Sequence, residues 1–271
     1  MEKLKLGLIV NGMNYKEGFE KVVSLNIPTC QLTFRAEDAL SNIDPVKVKI
    51  SAENSGIEIT AIFFGFKGQK YNLKDGPETM GLVAVKYRKE RLEIAKEFSD
   101  FIKELDINYI CSHVGFIPDD ELDPVYTSFI PVMKEFVSHC KDNGQIFCFE
   151  TGQELPSTLK RTIIDIGLEN IGINLDPANL ILYGKANPLD AIEIFGKYIM
   201  SMHAKDGLWP NREELLGIEV PIGEGIVNFP ILFRRLKKIG YKSPITIERE
   251  ISGEKQIEDI KKSIDYLTPF L

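Results

Sequence analysis

The sequence predicts a closed (β/α)8 barrel that forms a single α/β domain over residues 1–271. Eight short apolar segments alternate with eight amphipathic segments, and no linker, repeat or low-complexity stretch interrupts the order. The length of 271 residues also suits such a barrel. The competing class, an open doubly wound sheet, usually carries a glycine-rich phosphate loop after its first strand. Here that position reads Val10-Asn-Gly-Met13, which is not the GxGxxG motif, so the barrel is favoured.

The first half of the chain contains four of the expected strands. They span residues 4–10, 29–34, 57–64 and 107–113. Apolar residues spaced three and four apart predict the helices that follow, most clearly over 92–105. Gly56 and Gly144 are expected to end two of these helices, because glycine readily adopts the left-handed conformation that closes a helix. Residues 65–81 are polar and glycine-rich, and they are predicted to form a loop.

The second half of the chain repeats this pattern. Its predicted strands span residues 146–150, 171–176, 198–203 and 245–248. Pro156 is expected to begin a helix that Gly167 ends, and Asn187 and Asn228 are expected to cap the next two helices. Residues 204–227 are predicted to be a long loop that precedes the helix capped by Asn228.

The four strands of the second half share an unusual feature, because each ends in a side chain of a type that binds metal ions. These residues are Glu150, Asp176, His203 and Glu248. Strand alternation places each of them on the same face as the residue two positions earlier. One carboxylate at such a position is usually a helix cap. Three carboxylates and a histidine on successive parallel strands predict side chains that converge at the mouth of the barrel, where the active sites of this fold lie.

The same four residues are predicted to hold one divalent cation. Three carboxylates crowded into a mouth would repel one another and raise their pKa values unless a cation neutralised them. One imidazole and three carboxylates form a nitrogen and oxygen set that suits Mn²⁺, Mg²⁺, Co²⁺ or Zn²⁺. The alternative, in which these residues cap helices and pair with Lys or Arg, is reasonable for any one of them and poor for all four together.

Four further residues are candidates for contact with a small substrate. His113 ends the fourth strand on the same rim, where it would hydrogen-bond a substrate hydroxyl or serve as a core histidine. Asn179 lies three residues after the acid of the sixth strand and would donate to a substrate oxygen or stabilise its loop. Lys205 and Asp206 follow the histidine of the seventh strand and would touch substrate or orient that histidine.

The composition argues against several classes of partner. Lys plus Arg number 33 against 40 for Asp plus Glu, and the net charge of -7 does not favour a nucleic acid. No apolar run approaches the roughly 20 residues that a membrane span needs. Cys30, Cys111, Cys140 and Cys148 show no zinc-site spacing and are expected to be reduced. With no signal-peptide pattern at the amino terminus, we expect a cytoplasmic protein.

Five short segments carry a family resemblance. They are Phe149-Glu-Thr-Gly, Leu175-Asp-Pro-Ala-Asn, Met202-His-Ala-Lys-Asp-Gly, Ile222-Gly-Glu-Gly and Thr246-Ile-Glu-Arg-Glu. In these segments the chain resembles the xylose-isomerase-like TIM barrel superfamily. It is most similar to the sugar phosphate isomerase/epimerase group, which includes ketose 3-epimerases, hydroxypyruvate isomerase and inosose dehydratase. The resemblance spans the whole barrel and is strongest over residues 111–250.

The resemblance implies a metal-dependent isomerase or epimerase that acts on a sugar or a related polyol. It implies that the four strand-end residues bind one divalent metal, and that Glu150 and Glu248 also act as acid and base. Many relatives have a histidine where this chain has Asn179, a departure that changes substrate contacts and leaves the metal set whole. Other activities of the group remain alternatives. The resemblance leaves open which metal and which sugar are bound, whether that sugar is phosphorylated, and whether the chain forms a homo-oligomer.

A more distant alternative is the DNA-repair branch of the superfamily, endonuclease IV, which cleaves at abasic sites. That branch uses three zinc ions and several further histidines. Its Asp-x-His element is replaced here by Gly217-Ile-Glu219, and no histidine ends the third strand. Together with the net charge of -7, these differences argue against an abasic-site phosphodiesterase.

Overall fold

Eight parallel strands close a barrel within residues 3–271, the part of the chain that the computed structural model describes. These strands are β1 (Leu6–Asn11), β2 (Thr29–Arg35), β3 (Glu58–Gly65), β4 (Tyr109–Ser112), β5 (Ile146–Glu150), β6 (Ile171–Leu175), β7 (Ile199–Ala204) and β10 (Ile245–Ile247). Around the barrel they follow the order β1-β10-β7-β6-β5-β4-β3-β2, and each neighbouring pair is parallel. The predicted (β/α)8 barrel is confirmed. Residues 1 and 2 of the expected domain lie outside the described residues, and a single domain over 1–271 stays a prediction.

Helices surround the barrel and connect successive strands. They are α1 (Tyr15–Ser24), α2 (Ala36–Asn42), α3 (Pro45–Ser55), α4 (Gly76–Thr79), α5 (Arg88–Glu104), α6 (Pro124–Asp142), α7 (Pro156–Ile166), α8 (Pro177–Leu182), α9 (Pro188–Phe195), α10 (Phe229–Lys238) and α11 (Glu254–Leu267). The expected caps are confirmed, since the Asn187 and Asn228 side chains accept from backbone N–H groups of α9 and α10. Gly56 and Gly167 end α3 and α7 in the left-handed conformation. Within residues 3–271, no helix has the length and apolar character needed to cross a bilayer.

Strand alternation divides each strand between the outer core and the barrel interior. In β3 the Phe64 ring packs outward against Phe98 and Phe136, with ring centroids 5.2 and 6.2 Å apart. The neighbouring Phe63 ring faces inward and lies 5.6 Å from the ring of His113. The interior of the barrel also holds buried polar side chains beneath the mouth. These include Gln31, Asn174, Ser201 and Thr246.

Segments that the sequence predicts as loops contain short regular elements. Within residues 204–227, the strands β8 (Asp206–Leu208) and β9 (Ile218–Val220) pair as an antiparallel hairpin. Helix α4 lies inside the predicted loop 65–81, and α8 begins directly after Asp176. The loop predictions are wrong at these points. The elements are only three to six residues long, which is too short for a strand or helix period to be visible in the sequence.

Candidate metal centre and substrate pocket

Four side chains from consecutive strands of the barrel meet at its carboxyl end. Glu150 is the last residue of β5, His203 lies near the end of β7, and Asp176 and Glu248 directly follow β6 and β10. One ligand-type atom from each residue lies within 4.8 Å of the others. The sequence prediction that these side chains converge therefore agrees with the geometry, because parallel strands deliver their last residues to one rim.

His203 is oriented by Gln31, a residue of β2 on the other side of the barrel interior. His203 Nε2 lies 2.8 Å from Gln31 Oε1. Because an amide oxygen only accepts hydrogen bonds, this contact places a proton on Nε2 and turns Nδ1 towards the carboxylates. Nδ1 lies 3.0 Å from Glu150 Oε1, 3.3 Å from Glu248 Oε2 and 3.9 Å from Asp176 Oδ2. When the imidazole is neutral, as a metal ligand has to be, it can therefore present Nδ1 to the same point as the acids.

Glu150 is held by two amide side chains. Asn174 Nδ2 donates to Glu150 Oε2, and Asn179 Nδ2 donates to Glu150 Oε1 at 3.4 Å. Ser201 donates in turn to Asn174 Oδ1, which fixes the orientation of that amide. Neutral donors of this kind position a carboxylate and leave its charge available for a metal or a proton.

Asp176 has two roles, one for each carboxylate oxygen. Oδ1 accepts from the backbone N–H of Asn179 at 2.9 Å and caps α8, while Oδ2 faces the cluster. The buried ammonium of Lys205 lies 3.2 Å from Asp176 Oδ2, 3.1 Å from Glu248 Oε2 and 2.6 Å from Glu250 Oε1. One oxygen therefore caps α8 while the other faces the cluster, so the cap is compatible with the predicted ligand role of this acid.

The crowding of charges perturbs the ionisation of the cluster. Burial raises the pKa of Asp176 to about 8, and Glu248 and Glu150 add to this rise while Lys205 opposes it. Burial disfavours the charged form of Glu248, but Lys205 and His203 hold the pKa of Glu248 well below its usual range. Burial also acts against imidazolium, but the charges of Glu150 and Glu248 raise the pKa of His203 well above its usual range. The centre therefore has an excess of carboxylate that a cation would relieve.

Two buried atoms of the cluster match the requirements of metal ligands. Asp176 Oδ2 and His203 Nδ1 are buried and lack a partner in full hydrogen-bond geometry. Their contacts are with charged groups: Lys205 Nζ lies 3.2 Å from the first atom, and Glu150 Oε1 lies 3.0 Å from the second. Both point to the site where Glu150 and Glu248 supply further oxygen atoms. The donor set and its burial thus fit a divalent cation, and this cluster could bind one.

A cavity of about 370 Å³ lies directly over the cluster. This metal-side cavity is lined by Glu150, Glu248, Lys205, His113, Asn179, Tyr183 and other residues. His113 is buried and its Nδ1 makes no hydrogen bond, and burial lowers the pKa of His113, so the ring is neutral. The structure therefore brings His113, Asn179 and Lys205 of the predicted substrate contacts to the same cavity.

Asp206, the fourth predicted contact, does not line the metal-side cavity. Its carboxylate accepts from four backbone N–H groups at 2.9 to 3.1 Å, those of Gly207, Gly223, Gly225 and Val227. These contacts attach the segment 223–227 to the start of β8. The side chain shapes the loop, and the sequence could not distinguish this task from substrate binding because both place an acid beside His203.

Replacing Asp206 by Ala is expected to destabilise the protein by about 2–4 kcal/mol, because several buried N–H groups lose a charged acceptor. The free energy of unfolding in urea measures this effect. Asp265→Ala, on an exposed face of α11, is the matched control and is expected to change stability by less than about 0.5 kcal/mol. Equal stability of the two variants would show that the loop does not depend on Asp206.

Several residues of the site were missed by sequence reasoning. Gln31 orients His203, Phe63 lines the cavity, and Tyr71, Tyr183 and Glu250 complete its rim. A polar residue at the centre of an apolar strand is a usable signal for Gln31. No such signal marks Tyr71 or Tyr183, since their positions depend on the paths of connecting segments.

Comparisons of sequence agree with this architecture. The sequence model of the family described as "Xylose isomerase-like TIM barrel" matches residues 19–270. A curated relative, an uncharacterized protein of Methanocaldococcus jannaschii, is 27% identical over 195 residues, or 68% of this chain. The chain spans 63% of the length of that relative.

Solved structures extend the comparison. A xylose isomerase domain protein from Planctomyces limnophilus superposes with a TM-score of 0.93 at 32% identity, covering 99% of this chain and 98% of that one. A D-psicose 3-epimerase with D-tagatose from Clostridium cellulolyticum H10 superposes with a TM-score of 0.74 at 17% identity, covering 99% of both chains, which is a likeness of fold. The barrel, the strand-end cluster and the family match lead to one conclusion: the chain belongs to the xylose isomerase-like TIM barrel family.

Proposed function

We propose that the protein is a divalent-metal-dependent isomerase or epimerase of sugars or related polyols. One observation carries the proposal: the cluster of Glu150, Asp176, His203 and Glu248, whose ligand-type atoms lie within 4.8 Å of one another beneath a cavity of about 370 Å³. The D-psicose 3-epimerase shares this fold, which makes a ketose the first substrate class to test. Manganese is a suitable ion, as are Mg²⁺, Co²⁺ and Zn²⁺.

The four residues of the cluster would hold the ion. When bound, a divalent cation supplies Lewis acidity that polarises a ketose carbonyl and stabilises an enediolate. Glu150 and Glu248 approach from β5 and β10, the two ends of the four-strand arc, and both line the metal-side cavity. One glutamate takes the proton from the carbon next to the carbonyl, and the other returns a proton. Return to the same carbon from the opposite face gives epimerisation, whereas return to the neighbouring carbon gives aldose–ketose isomerisation.

Three other side chains would contact the sugar. Neutral His113 lines the metal-side cavity, where it would contact a hydroxyl, and Asn179 lines the same cavity beside Glu150. Lys205 pairs with Asp176, Glu248 and Glu250, so its ammonium balances charge, and a substrate oxygen would replace one of these three acceptors. Asp206 supports this arrangement indirectly, by fixing the loop after His203.

The repair alternative lacks support in this site. Glu219, which occupies the last position of the replaced Asp-x-His element, accepts from the Glu250 backbone N–H and pairs with Arg249 at 2.9 Å. Its carboxylate is thus engaged away from the four-residue cluster. A cytoplasmic role in carbohydrate metabolism, the absence of a nucleic-acid partner and assembly into a homo-oligomer stay predictions.

Removal of metal tests the proposed function. Protein dialysed against a chelator is expected to lose catalysed solvent-deuterium exchange on a panel of ketoses and their epimers, and Mn²⁺, Co²⁺ or Mg²⁺ is expected to restore it. Elemental analysis of the untreated protein is expected to give one metal per chain. Three metals with nicking of an abasic-site duplex would support the phosphodiesterase instead. No bound metal and no exchange would favour a sugar-binding barrel without catalysis.

A further inference from the structure

A second cavity opens beside the metal-side cavity at the mouth of the barrel. Its volume is about 480 Å³, against about 370 Å³ for the metal-side cavity. Phe63, Tyr71 and Glu248 line both, so the two spaces meet over an edge of the candidate metal centre. We name the larger space the second cavity. A ligand held at the metal would therefore have room to extend sideways into it.

The second cavity lies over the strands that supply none of the four clustered side chains. Its walls come from the ends of β1, β2 and β3, where Asn11, Thr33 and Arg35 line it. The side chains of Asp38 and Gln69 also line it. Hydroxyl, amide, carboxylate and guanidinium groups thus stand beside the aromatic rings of Phe63 and Tyr71. Polar groups placed among aromatic rings suit a sugar ring, which has hydroxyls at its edge and apolar faces.

Tyr71 stands at the boundary of the two cavities and is held there by specific contacts. Gln69 Nε2 donates to the Tyr71 hydroxyl, and Gln69 Oε1 accepts from Phe66 N at 3.2 Å. Both side chains pack over Gly65, where an added Cβ would come within 2.7 Å of Gln69 Nε2 and 3.1 Å of the Tyr71 hydroxyl. The Tyr183 hydroxyl donates to Tyr71 O at 2.9 Å and closes the metal-side rim. These contacts therefore fix the position of Tyr71 between the two cavities.

The charges of the second cavity favour an uncharged ligand. Arg35 is its cation, and this guanidinium lies 4.0 Å from the carboxylate of Asp38. Glu248 adds negative charge at the boundary. A phosphate group would face these two carboxylates with one guanidinium to balance it, which is unfavourable. Sugar hydroxyls can donate to the carboxylates and accept from the guanidinium at the same time.

From these observations we propose that the substrate has two sugar units. The ketose unit occupies the metal-side cavity, and an uncharged, glycosidically linked second unit occupies the second cavity. This inference rests on the proposed function for the identity of the reacting unit. Contacts of the second unit lie away from the reacting carbon, and such remote binding can be used to orient the reacting unit.

Matched sugars with and without a second unit test the proposal. The probes are D-fructose, D-fructose 6-phosphate and three glucosyl-fructoses, isomaltulose, maltulose and leucrose, which carry the glucosyl unit on different oxygens. Binding is measured by calorimetry, and catalysis by exchange of the carbon-bound proton with deuterated solvent. At least one disaccharide is expected to show a Kd and a kcat/KM at least about tenfold better than fructose, the effect of a few net hydrogen bonds.

Variants of the second cavity show whether it is the source of that preference. Thr33→Trp is expected to obstruct the cavity and bring the ratio of disaccharide to fructose affinity close to one. Arg35→Ala, which shortens an exposed side chain, is expected to lower the same ratio at least about threefold even if Thr33→Trp fails to fold. Val46→Trp on the exposed side of α3 is the control and is expected to leave the ratio unchanged.

The outcomes separate this proposal from the proposed function. Exchange on fructose without any preference for a disaccharide would overturn the two-unit substrate and leave the isomerase or epimerase intact. A preference for fructose 6-phosphate would also overturn it, in favour of a charged substrate. Disaccharide binding that depends on Arg35, with no proton exchange on any sugar, would support the second cavity and contradict the proposed catalysis.

Discussion

The double variant Asp176→Asn/His203→Gln is expected to lose tight binding of the metal ion. The first change removes the charge of a buried carboxylate whose Oδ2 faces the cluster, 3.2 Å from Lys205 Nζ. The second removes the imidazole nitrogen that lies 3.0 to 3.9 Å from the three acids. Loss of groups that only orient ligands already costs about 10–100-fold in metal affinity, so loss of two ligands is expected to exceed about 100-fold.

Two measurements check this result. Elemental analysis after exhaustive dialysis is expected to find about one ion per parent chain and almost none in the variant. The melting temperature is expected to rise with added Mn²⁺ in the parent alone, because an ion at a hundredfold excess over its Kd stabilises the folded state by about 2.7 kcal/mol. A cooperative melting transition that lacks both effects would show that the variant is folded and no longer coordinates the ion.

The matched control makes the same chemical changes on the surface of the protein. Asp265→Asn/His139→Gln alters an exposed acid of α11 and a histidine of α6 that pairs with Asp100. This protein is expected to keep the metal content and the response to Mn²⁺ of the parent. A full complement of metal in the Asp176→Asn/His203→Gln variant would place the ion elsewhere in the chain.

The clustering of these four residues was predictable because a parallel barrel brings the ends of its strands, and so the residues at equivalent positions of the sequence pattern, to one rim. Each strand end is an apolar run followed by an acid or a histidine, and the fold brings equivalent ends together. Asp176 illustrates why single residues mislead. It does cap α8, as an isolated strand-end acid usually would, and its second oxygen still faces the cluster. Only the repetition on neighbouring strands distinguished the two roles.

Residues that orient the cluster were harder to predict. The contact between Gln31 and His203 joins residues far apart in the chain, across the barrel interior, and depends on the register of strands that are not adjacent. Phe63 and Phe64 are consecutive residues of the same type, so the sequence alone does not show which ring faces the mouth. That depends on the phase of β3, meaning which alternate residues of the strand point into the barrel. An error of one residue in that phase reverses the assignment.

The rim of the mouth was the least predictable part, because it is built from connecting segments. Tyr71 comes from the segment after β3, and its backbone carbonyl meets the Tyr183 hydroxyl from the segment after α8. The β8–β9 hairpin places Glu219 against Glu250 and Arg249. These contacts follow from loop paths, for which neither strand nor helix periodicity provides a signal. Substrate specificity is expected to depend mainly on this rim.

Glu150→Gln and Glu248→Gln are each expected to reduce turnover by about 10²–10⁴-fold while the metal stays bound. Glutamine keeps an oxygen that can coordinate an ion and removes the group that accepts the proton. Substitution by Ala would be less informative, because each glutamate belongs to the ligand cluster and loss of the ion would also stop the reaction. Metal content is therefore measured in every variant beside turnover.

Deuterium exchange distinguishes two bases from one. If Glu150 and Glu248 serve opposite faces of the ketose, each Gln variant keeps the base for one face. Each is then expected to exchange the carbon-bound proton of one epimer with solvent, and the two variants are expected to prefer opposite epimers. This follows from their positions on β5 and β10, at the two ends of the arc formed by β5, β6, β7 and β10.

The same change on the protein surface provides the control, since Glu258→Gln on α11 alters an exposed glutamate and is expected to keep parental turnover and exchange with both epimers. Loss of exchange with the same epimer in both Gln variants would indicate that a single face is served. Near-parental turnover in both variants, with metal bound, would assign the acid and base to other groups. His113, whose Nδ1 makes no hydrogen bond, and Lys205, which contacts Asp176 and Glu248, would then be tested first, because both line the metal-side cavity.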